Sequence, residues 1–306
     1  MIISIDHGNK NIKCMHKTFT SGLISSTVPF SIAGDCLYYN GIYYALTDER
    51  IPYMRDKTVD DRFFVLSLFA IAYELQSTGK YVSGSTANID LAIGLPPGNF
   101  GKQYASFQKY FMRNEYIMFE FNNIKYRILI NRANAYPQGY AAVMPIYQKV
   151  KEYPRSMVID IGGFTLDYLQ LKNGKADISV CDSLELGVIT LYNNIKSAVN
   201  SSEDLLIDEC DIDAVIQNKP SVFEKRIRDT IEQKSKEFTD NIINSLRERH
   251  IDLKSTHAIF VGGGSILLEK YIQASDKIAS PEIIRNINAN AAGYEILLKK
   301  QIQSGR

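Results

Sequence analysis

The chain has 306 residues, 45% of them hydrophobic and 23% charged, and 35 basic side chains nearly balance 34 acidic ones for a net charge of +1. That length leaves room for about two domains, and the composition is that of an ordinary globular protein. The charge balance argues against a broad basic face for direct nucleic-acid binding. Cys14, Cys36, Cys181 and Cys210 lie far apart and form no CxxC pair, as expected for free thiols in a reducing, cytoplasmic compartment. The N-terminus enters an apolar strand directly and shows no basic leader, so no signal peptide is expected. The most apolar stretch, Phe63 to Leu75, is too short to span a bilayer and reads as a buried helix, so no membrane association is expected.

In chain order, Ile2 to Ile5 is nearly all apolar, the pattern of a central strand covered on both faces. Asn11 to Phe19 can return as its hairpin partner, and Gly41 to Leu46 is a further strand. Thr58 and Asp61 have the spacing of a capping box opening a helix that Gly79 stops. Ile89 to Leu95 is a strand ended by Pro96-Pro97-Gly98, with a helix from Asn99 to Phe111. A hairpin follows across Tyr116 to Ile130, turning at Asn122-Asn123, and then a helix beginning near Pro137. The second half repeats the scheme. Met157 to Ile161 and Thr165 to Leu171 are strands, Asn173-Gly174 is a hairpin turn, and Ala176 to Val180 is a third strand. Val188 to Val199 is helical and Ser201 to Asn218 is an acidic, loosely helical insertion. The longest helix runs from Ser221 to about His250, opened by a Ser221/Glu224 capping box, with Ile227, Ile231, Phe238, Ile242 and Leu246 on one face. Ala258 to Val261 is a strand feeding Gly262-Gly263-Gly264-Ser265, and a last helix follows Asn288. Strands followed by helices, twice over, predict two α/β domains.

Two segments carry the chemistry. Ile2 to Lys13 and Met157 to Leu171 each read as a buried strand, Asp-x-Gly, a short polar turn and a second strand. Gly139 lies 133 residues after Asp6, and Gly293 lies 133 residues after Asp160. Matched spacing of this kind predicts a duplicated domain with a nucleotide clamped between the halves. Glycine lets the backbone N–H approach a phosphate closely, and an aspartate at the strand's end can hold a magnesium-bound water. In the first copy Gly8, Asn9, Lys10 and Asn11 supply turn amides and Lys13 can reach phosphate oxygens. In the second, Gly162, Gly163, Phe164 and Thr165 supply them. Gly262 to Ser265 offer a flat backbone floor for a base and an α-phosphate. The competing explanation is a pair of ordinary glycine-containing hairpins, which does not account for the matched offsets. Gly139 and Gly293 are expected in two helices that approach closely where the side chain is missing. There is no GxxxxGK[ST], GxSxG or HExxH, and the four histidines show no metal spacing; His7 is assigned a structural role.

These segments resemble the motifs of the actin-like ATPases, which share a fold with sugar kinases and DnaK-type chaperones. IDHGNKNIK and VIDIGGFTLD look like the two phosphate motifs, NAYPQGYAA and INANAAGY like the two connecting helices, and IFVGGGS like the adenosine motif. Within that superfamily the pattern is most similar to the ParM/Alp plasmid-segregation actins. The resemblance implies an α/β, ribonuclease H-like duplicated fold, with domain I over residues 1–155 joined by a returning helix at about 288–306, and domain II over 156–287. It further implies that Asp6 and Asp160 hold Mg2+ through water and that Gln138 positions the attacking water. Gly262, Gly263, Gly264 and Ser265 would line the base and ribose. Gln138 replaces the glutamate of some ParM members, and an amide is a poor base, so slow, assembly-stimulated hydrolysis of ATP or GTP is expected. The chain is expected to be shorter than many relatives, with Phe30 to Asp56 and Ser201 to Pro220 small for outer subdomains. Self-assembly into dynamic filaments in the bacterial cytoplasm would follow, with DNA engaged through an adaptor protein on a centromere-like site. The alternative is a small-molecule, sugar-type kinase, which needs a carboxylate base where Gln138 stands. A chaperone-like ATPase would need a further peptide-binding domain.

Overall fold

The computed structural model describes residues 1–31, 34–79, 81–113 and 115–305. In chain order the first strands are β1 (Ile2–His7), β2 (Asn11–Lys13), β3 (Thr18–Thr20), β4 (Leu23–Ser26), β5 (Cys36–Tyr39) and β6 (Ile42–Leu46). Helix α1 (Arg62–Thr78), β7 (Ala87–Leu95), α2 (Pro97–Phe111), β8 (Ile117–Phe121) and β9 (Ile124–Pro137) follow. After a 3-10 turn at Met144–Ile146 come α3 (Tyr147–Val150), β10 (Arg155–Ile161), β11 (Leu166–Lys172) and β12 (Lys175–Leu184). The chain continues through α4 (Val188–Glu203), α5 (Glu209–Ile216), α6 (Lys225–Glu248), β13 (His257–Val261), α7 (Gly263–Leu267) and α8 (Glu269–Ala274). It ends with β14 (Pro281–Ile283) and α9 (Ala289–Gln303).

Two compact units result, one of Met1–Pro145 with Asn288–Arg306 and one of Ile146–Ile287. Among the described residues the strands form a nine-stranded sheet, β3-β2-β1-β7-β9-β8-β5-β6-β4, and a five-stranded sheet, β12-β11-β10-β13-β14. The first five strands of the larger sheet repeat the smaller one. In each, a leading strand pairs antiparallel with the strand that follows it and parallel with a later one, β1 with β2 and β7, β10 with β11 and β13. The duplication expected from spacing is therefore present as topology.

In the first unit, alternate residues of the parallel strands face opposite ways. Ile3, Ile5, Leu91 and Ile93 join the core with α1 and α2, while Ala92 packs with Ala141, Tyr294 and Leu298 of α9. All of Phe63 to Leu75 is buried, because α1 is covered all round rather than amphipathic. In the second unit, Ile159 and Ile161 pack with Leu191 and Ile195 of α4 and Ile231, Phe238, Ile242 and Leu246 of α6.

Several local expectations fail, each for a physical reason. Asn11 to Phe19 is not one strand: β2 and β3 pair with each other about a turn closed by the Cys14 N–H donating to the Lys17 carbonyl at 2.9 Å. Thr58 does not cap a helix, since its hydroxyl donates to the Asp56 carboxylate at 2.7 Å and α1 opens at Arg62. The Ser221/Glu224 box does not form; Ser221 Oγ accepts from the Phe223 N–H in a local turn, and Glu224 precedes the helix without a side-chain cap. The helix expected near Pro137 is a continuation of β9, whose last pair is Pro137 with Leu95. Gly139 then turns the chain at φ 71°, so it does not lie in a helix, whereas Gly293 lies in α9 as expected. By contrast Gly79 ends α1 in the left-handed conformation, and Asn122-Asn123 and Asn173-Gly174 make the positive-φ hairpin turns.

Candidate functional site

In the first unit, β1 delivers Asp6 to its carboxyl end, 4% exposed. One carboxylate oxygen, Oδ1, accepts from Gln138 Nε2 at 2.7 Å and more weakly from the Tyr294 hydroxyl at 3.4 Å. The other, Oδ2, lies 3.9 Å from Lys13 Nζ, which the β1–β2 ladder places directly across from Asp6. A carboxylate is an acceptor only, so it orients the Gln138 amide with nitrogen inward and Oε1 outward. Gln138 arrives there because its own N–H continues the β7–β9 ladder, donating to the Leu95 carbonyl at 2.8 Å. The turn after Asp6 is tight: a Cβ at Gly8 would stand 2.6 Å from the Asn11 carbonyl oxygen. Ser21 braces it, its hydroxyl donating to the Gly8 carbonyl at 2.6 Å and its N–H to the Lys10 carbonyl at 3.0 Å. Asn9 turns its side chain back into the protein, Oδ1 accepting from the Met54 N–H at 3.2 Å.

His7 points away from this turn. It is fully buried, lies against Phe63, Phe107 and Phe111 of α1 and α2, and meets Ser67 Oγ at 2.7 Å. The same Ser67 hydroxyl lies 2.7 Å from the Phe63 carbonyl. Burial, reinforced by the positive charge of Lys57, pushes the His7 pKa down to about 3.

In the second unit, β10 delivers Asp160, 7% exposed, next to the β13–α7 turn. A Cβ on Gly262 would stand 2.2 Å from Asp160 Oδ1 and 2.7 Å from the Ile161 carbonyl oxygen, and Gly262 has φ 88°. Gly162 closes the following turn by donating to the Thr165 carbonyl at 2.8 Å. Thr165 Oγ1 donates to Asp167 Oδ2 at 3.0 Å. The start of α4 is pressed on this turn, the Val188 and Ile189 N–H groups donating to the Gly162 and Gly163 carbonyls at 3.1 and 2.9 Å and Gly187 N–H to the Phe164 carbonyl at 3.1 Å. The glycines of the Gly262–Gly264 run differ. Gly264 is packed, since a Cβ would meet Ile161 Cγ2 at 2.5 Å and Val188 Cγ1 at 2.7 Å, while one at Gly263 would meet only Ile287 Cδ1, at 4.0 Å. Ser265 commits its hydroxyl to the Val261 carbonyl at 2.5 Å and is fully buried, so its side chain does not present a donor.

The structure thus gathers Asp6, Gly8, Asn9, Lys10, Asn11, Lys13 and Gln138 in one unit. In the other it gathers Asp160, Gly162, Gly163, Phe164, Thr165, Gly262, Gly263, Gly264 and Ser265. Sequence reasoning quoted Asn290 and Tyr294 within INANAAGY without giving them a role at the site, and it likewise gave none to Asp167 and Gly187. Asp167 is the last residue of the quoted VIDIGGFTLD segment, and Gly187 precedes a helix, so both had a local signal. Among the described residues no three His, Cys, Asp or Glu side chains are grouped to ligate a metal directly. A hard cation held largely through its own waters needs only one or two carboxylates, and each unit has one such carboxylate beside a glycine turn, Asp6 in the first and Asp160 in the second. Among the described residues no helix is long and apolar enough to cross a membrane.

Residues 4–140 match the family model described as actin like proteins N terminal domain, and residues 158–274 match archaeal actin homologue MreB-like, C-terminal. A comparison with curated proteins gives no significant match. Among solved structures, the chain is similar to the archaeal actin homolog Ta0583 in complex with ADP, with TM-score 0.73 at 16% identity over 98% of this chain and 99% of that one. It is similar to a ParM from a 15-stranded filament of Clostridium botulinum, with TM-score 0.74 at 18% identity over 98% and 99%. It is also similar to Bacillus thuringiensis ParM with ATP, with TM-score 0.70 at 12% identity over 98% of each chain. The alignments cover 98 or 99% of each of these three structures.

Proposed function

This chain belongs to the actin-like superfamily, and from that premise we propose that it is a nucleoside triphosphatase of the ParM and Alp kind that assembles into filaments when it binds nucleotide. The observation that carries this reading is the repeated turn, an aspartate ending a buried parallel-sheet strand beside a glycine-closed loop, present once in each unit. Backbone amides of Gly8 to Asn11 and of Gly163 to Thr165 take phosphate oxygens, the Gly162 amide expected to join them being spent instead on the Thr165 carbonyl, and Lys13 adds a positive charge. Asp6 and Asp160 would each hold Mg2+ through water, and the ion would supply neutralisation of charge on the phosphates. Gly263, whose face is open, lets the base and ribose approach the backbone. Gln138, its nitrogen held by Asp6, keeps Oε1 to accept a hydrogen from the attacking water. It orients that water without removing a proton, so hydrolysis is slow and rises on assembly. ParM structures of this fold include a filament and an ATP complex, which supports self-assembly and a nucleoside triphosphate substrate; the base is ATP's or GTP's. The biological role is movement of plasmid or other DNA in a bacterial cytoplasm. An adaptor on a centromere-like site makes the DNA contact, in keeping with a net charge of +1.

The test records light scattering and phosphate release together after addition of Mg-ATP or Mg-GTP. Scattering is expected to rise before phosphate appears, and the nucleotide that gives the lower critical concentration is the physiological base. Phosphate release from protein that stays monomeric at every concentration would overturn the filament and turn attention to small-molecule phosphoryl acceptors.

A further inference from the structure

Gln138 makes the last bond of its strand's ladder, to the Leu95 carbonyl, and opens a turn that the strand does not define. β9 ends at Pro137, and Gly139 reverses the chain at φ 71°. Beyond the local bond from the Ala141 N–H to the Pro137 carbonyl at 3.1 Å, the turn is held by α9, about 150 residues later in sequence. Asn290, 7% exposed in the first turn of α9, accepts the Gly139 N–H on Oδ1 at 2.9 Å. Gly293 lets the helix lie directly on the turn, since a Cβ there would stand 1.8 Å from the Ala141 carbonyl oxygen. Tyr294, fully buried, reaches Asp6 Oδ1, the same atom that anchors the Gln138 amide. Its ring fills the space where Gly94 lacks a side chain, a Cβ there standing 2.0 Å from the phenol oxygen. Helix α9 therefore holds both partners of the Gln138–Asp6 hydrogen bond, the backbone beside Gln138 through Asn290 and the carboxylate through Tyr294.

We infer that Asn290 is a positioning residue for hydrolysis: it fixes the Gly139 peptide and so sets where Gln138 presents Oε1. This rests on the proposed water-orienting role of Gln138. The physical reason is leverage. The peptide between Gln138 and Gly139 sits at a positive-φ glycine, which has conformational freedom that no side chain limits. With its N–H unpaired in a buried site the peptide would rotate to find another acceptor, moving the amide off its line. Small displacements of an orienting group cost much in rate and little in ground-state binding.

The test compares wild type with Asn290→Ala, Gln138→Ala, the double variant and Asn290→Asp, which keeps an acceptor at the same place. Phosphate release, affinity for a fluorescent nucleotide of the preferred base, and Tm are measured for each. Asn290→Ala is expected to slow phosphate release roughly tenfold with nucleotide affinity within about twofold. Asn290→Asp should recover most of the rate, and the double variant should be no slower than Gln138→Ala alone, as expected for residues acting through one another. Additive losses in the double variant, or equal slowing in Asn290→Asp and Asn290→Ala, would overturn the inference. So would a fall in affinity that matches the fall in rate. Should Asn290→Ala not fold, Asn290→Ser, which draws its polar atom back from Gly139, takes its place under the same criteria. If Gln138→Ala turns over at the wild-type rate, the role of Gln138 fails and the inference with it. If Gln138→Ala is slow while Asn290→Ala is not, the inference alone is lost.

Discussion

His7 follows the aspartate of the first phosphate turn, yet its imidazole is committed to the interior. With three aromatic rings around it and one hydrogen bond to Ser67, the charged form has no solvation, which is why its pKa falls to about 3. In the unfolded chain the same group titrates near 6.5. Between those two values the unfolded state binds more protons than the folded one, so stability falls as pH drops through that window and is fully present above it. At pH 5 this single residue removes about 2 kcal/mol relative to neutral pH. Thermal melts of wild type and His7→Gln at pH 7 and pH 5 check this: the variant is less stable at pH 7 but loses less on acidification. Parallel pH dependence in the two proteins would mean that His7 is accessible to protons in the folded state.

At the scale of an element, the β13–α7 turn separates glycines that fold the protein from one that does not. Gly262 needs its positive φ, and Gly264 has Ile161 and Val188 within 2.7 Å of where its Cβ would be, whereas Gly263 has only one contact at 4.0 Å. Gly264→Ala should therefore cost about 1–3 kcal/mol through overpacking and lower Tm. Gly263→Ala should leave Tm unchanged or slightly raised, because alanine is the better helix former, while weakening nucleotide binding. Melting curves with and without nucleotide check both. A Gly263→Ala protein with wild-type affinity would remove the open floor from the proposed site.

At the scale of the molecule, the first unit is discontinuous in sequence: its core is completed by α9, which supplies Tyr294 and Leu298 against Ala92 and Ala141. The second unit runs without interruption from Ile146 to Ile287 and carries its own core. Truncation before Asn288 should therefore leave residues 146–287 resistant to limited proteolysis while residues 1–145 become sensitive. Equal resistance of both regions would show that α9 adds little to the first unit. The same discontinuity makes the hydrolytic reading depend on α9, through Asn290 and Tyr294.

The sequence alone determined the repeated strand–turn devices, because a buried strand needs a continuous apolar run and a sharp turn beside a phosphate needs glycine. Both signals are local in Ile2 to Lys13 and Met157 to Leu171. Hairpin turns at Asn122-Asn123 and Asn173-Gly174 and the glycine stop of α1 were legible for the same reason, a backbone conformation that few residues adopt. Only the tertiary structure decided that Pro137 ends a strand instead of opening a helix: the pairing with Leu95 and the turn at Gly139 outweigh proline's fitness for a first turn. Only it decided that Thr58 and Ser221 use their hydroxyls in local turns, since a polar side chain takes whichever partner the fold brings nearest. The placement of Asn290 and Tyr294 against Gly139 and Asp6 was likewise beyond reach. Contacts between residues about 150 and 290 positions apart leave no periodicity in the chain, and arise only when α9 packs on the sheet.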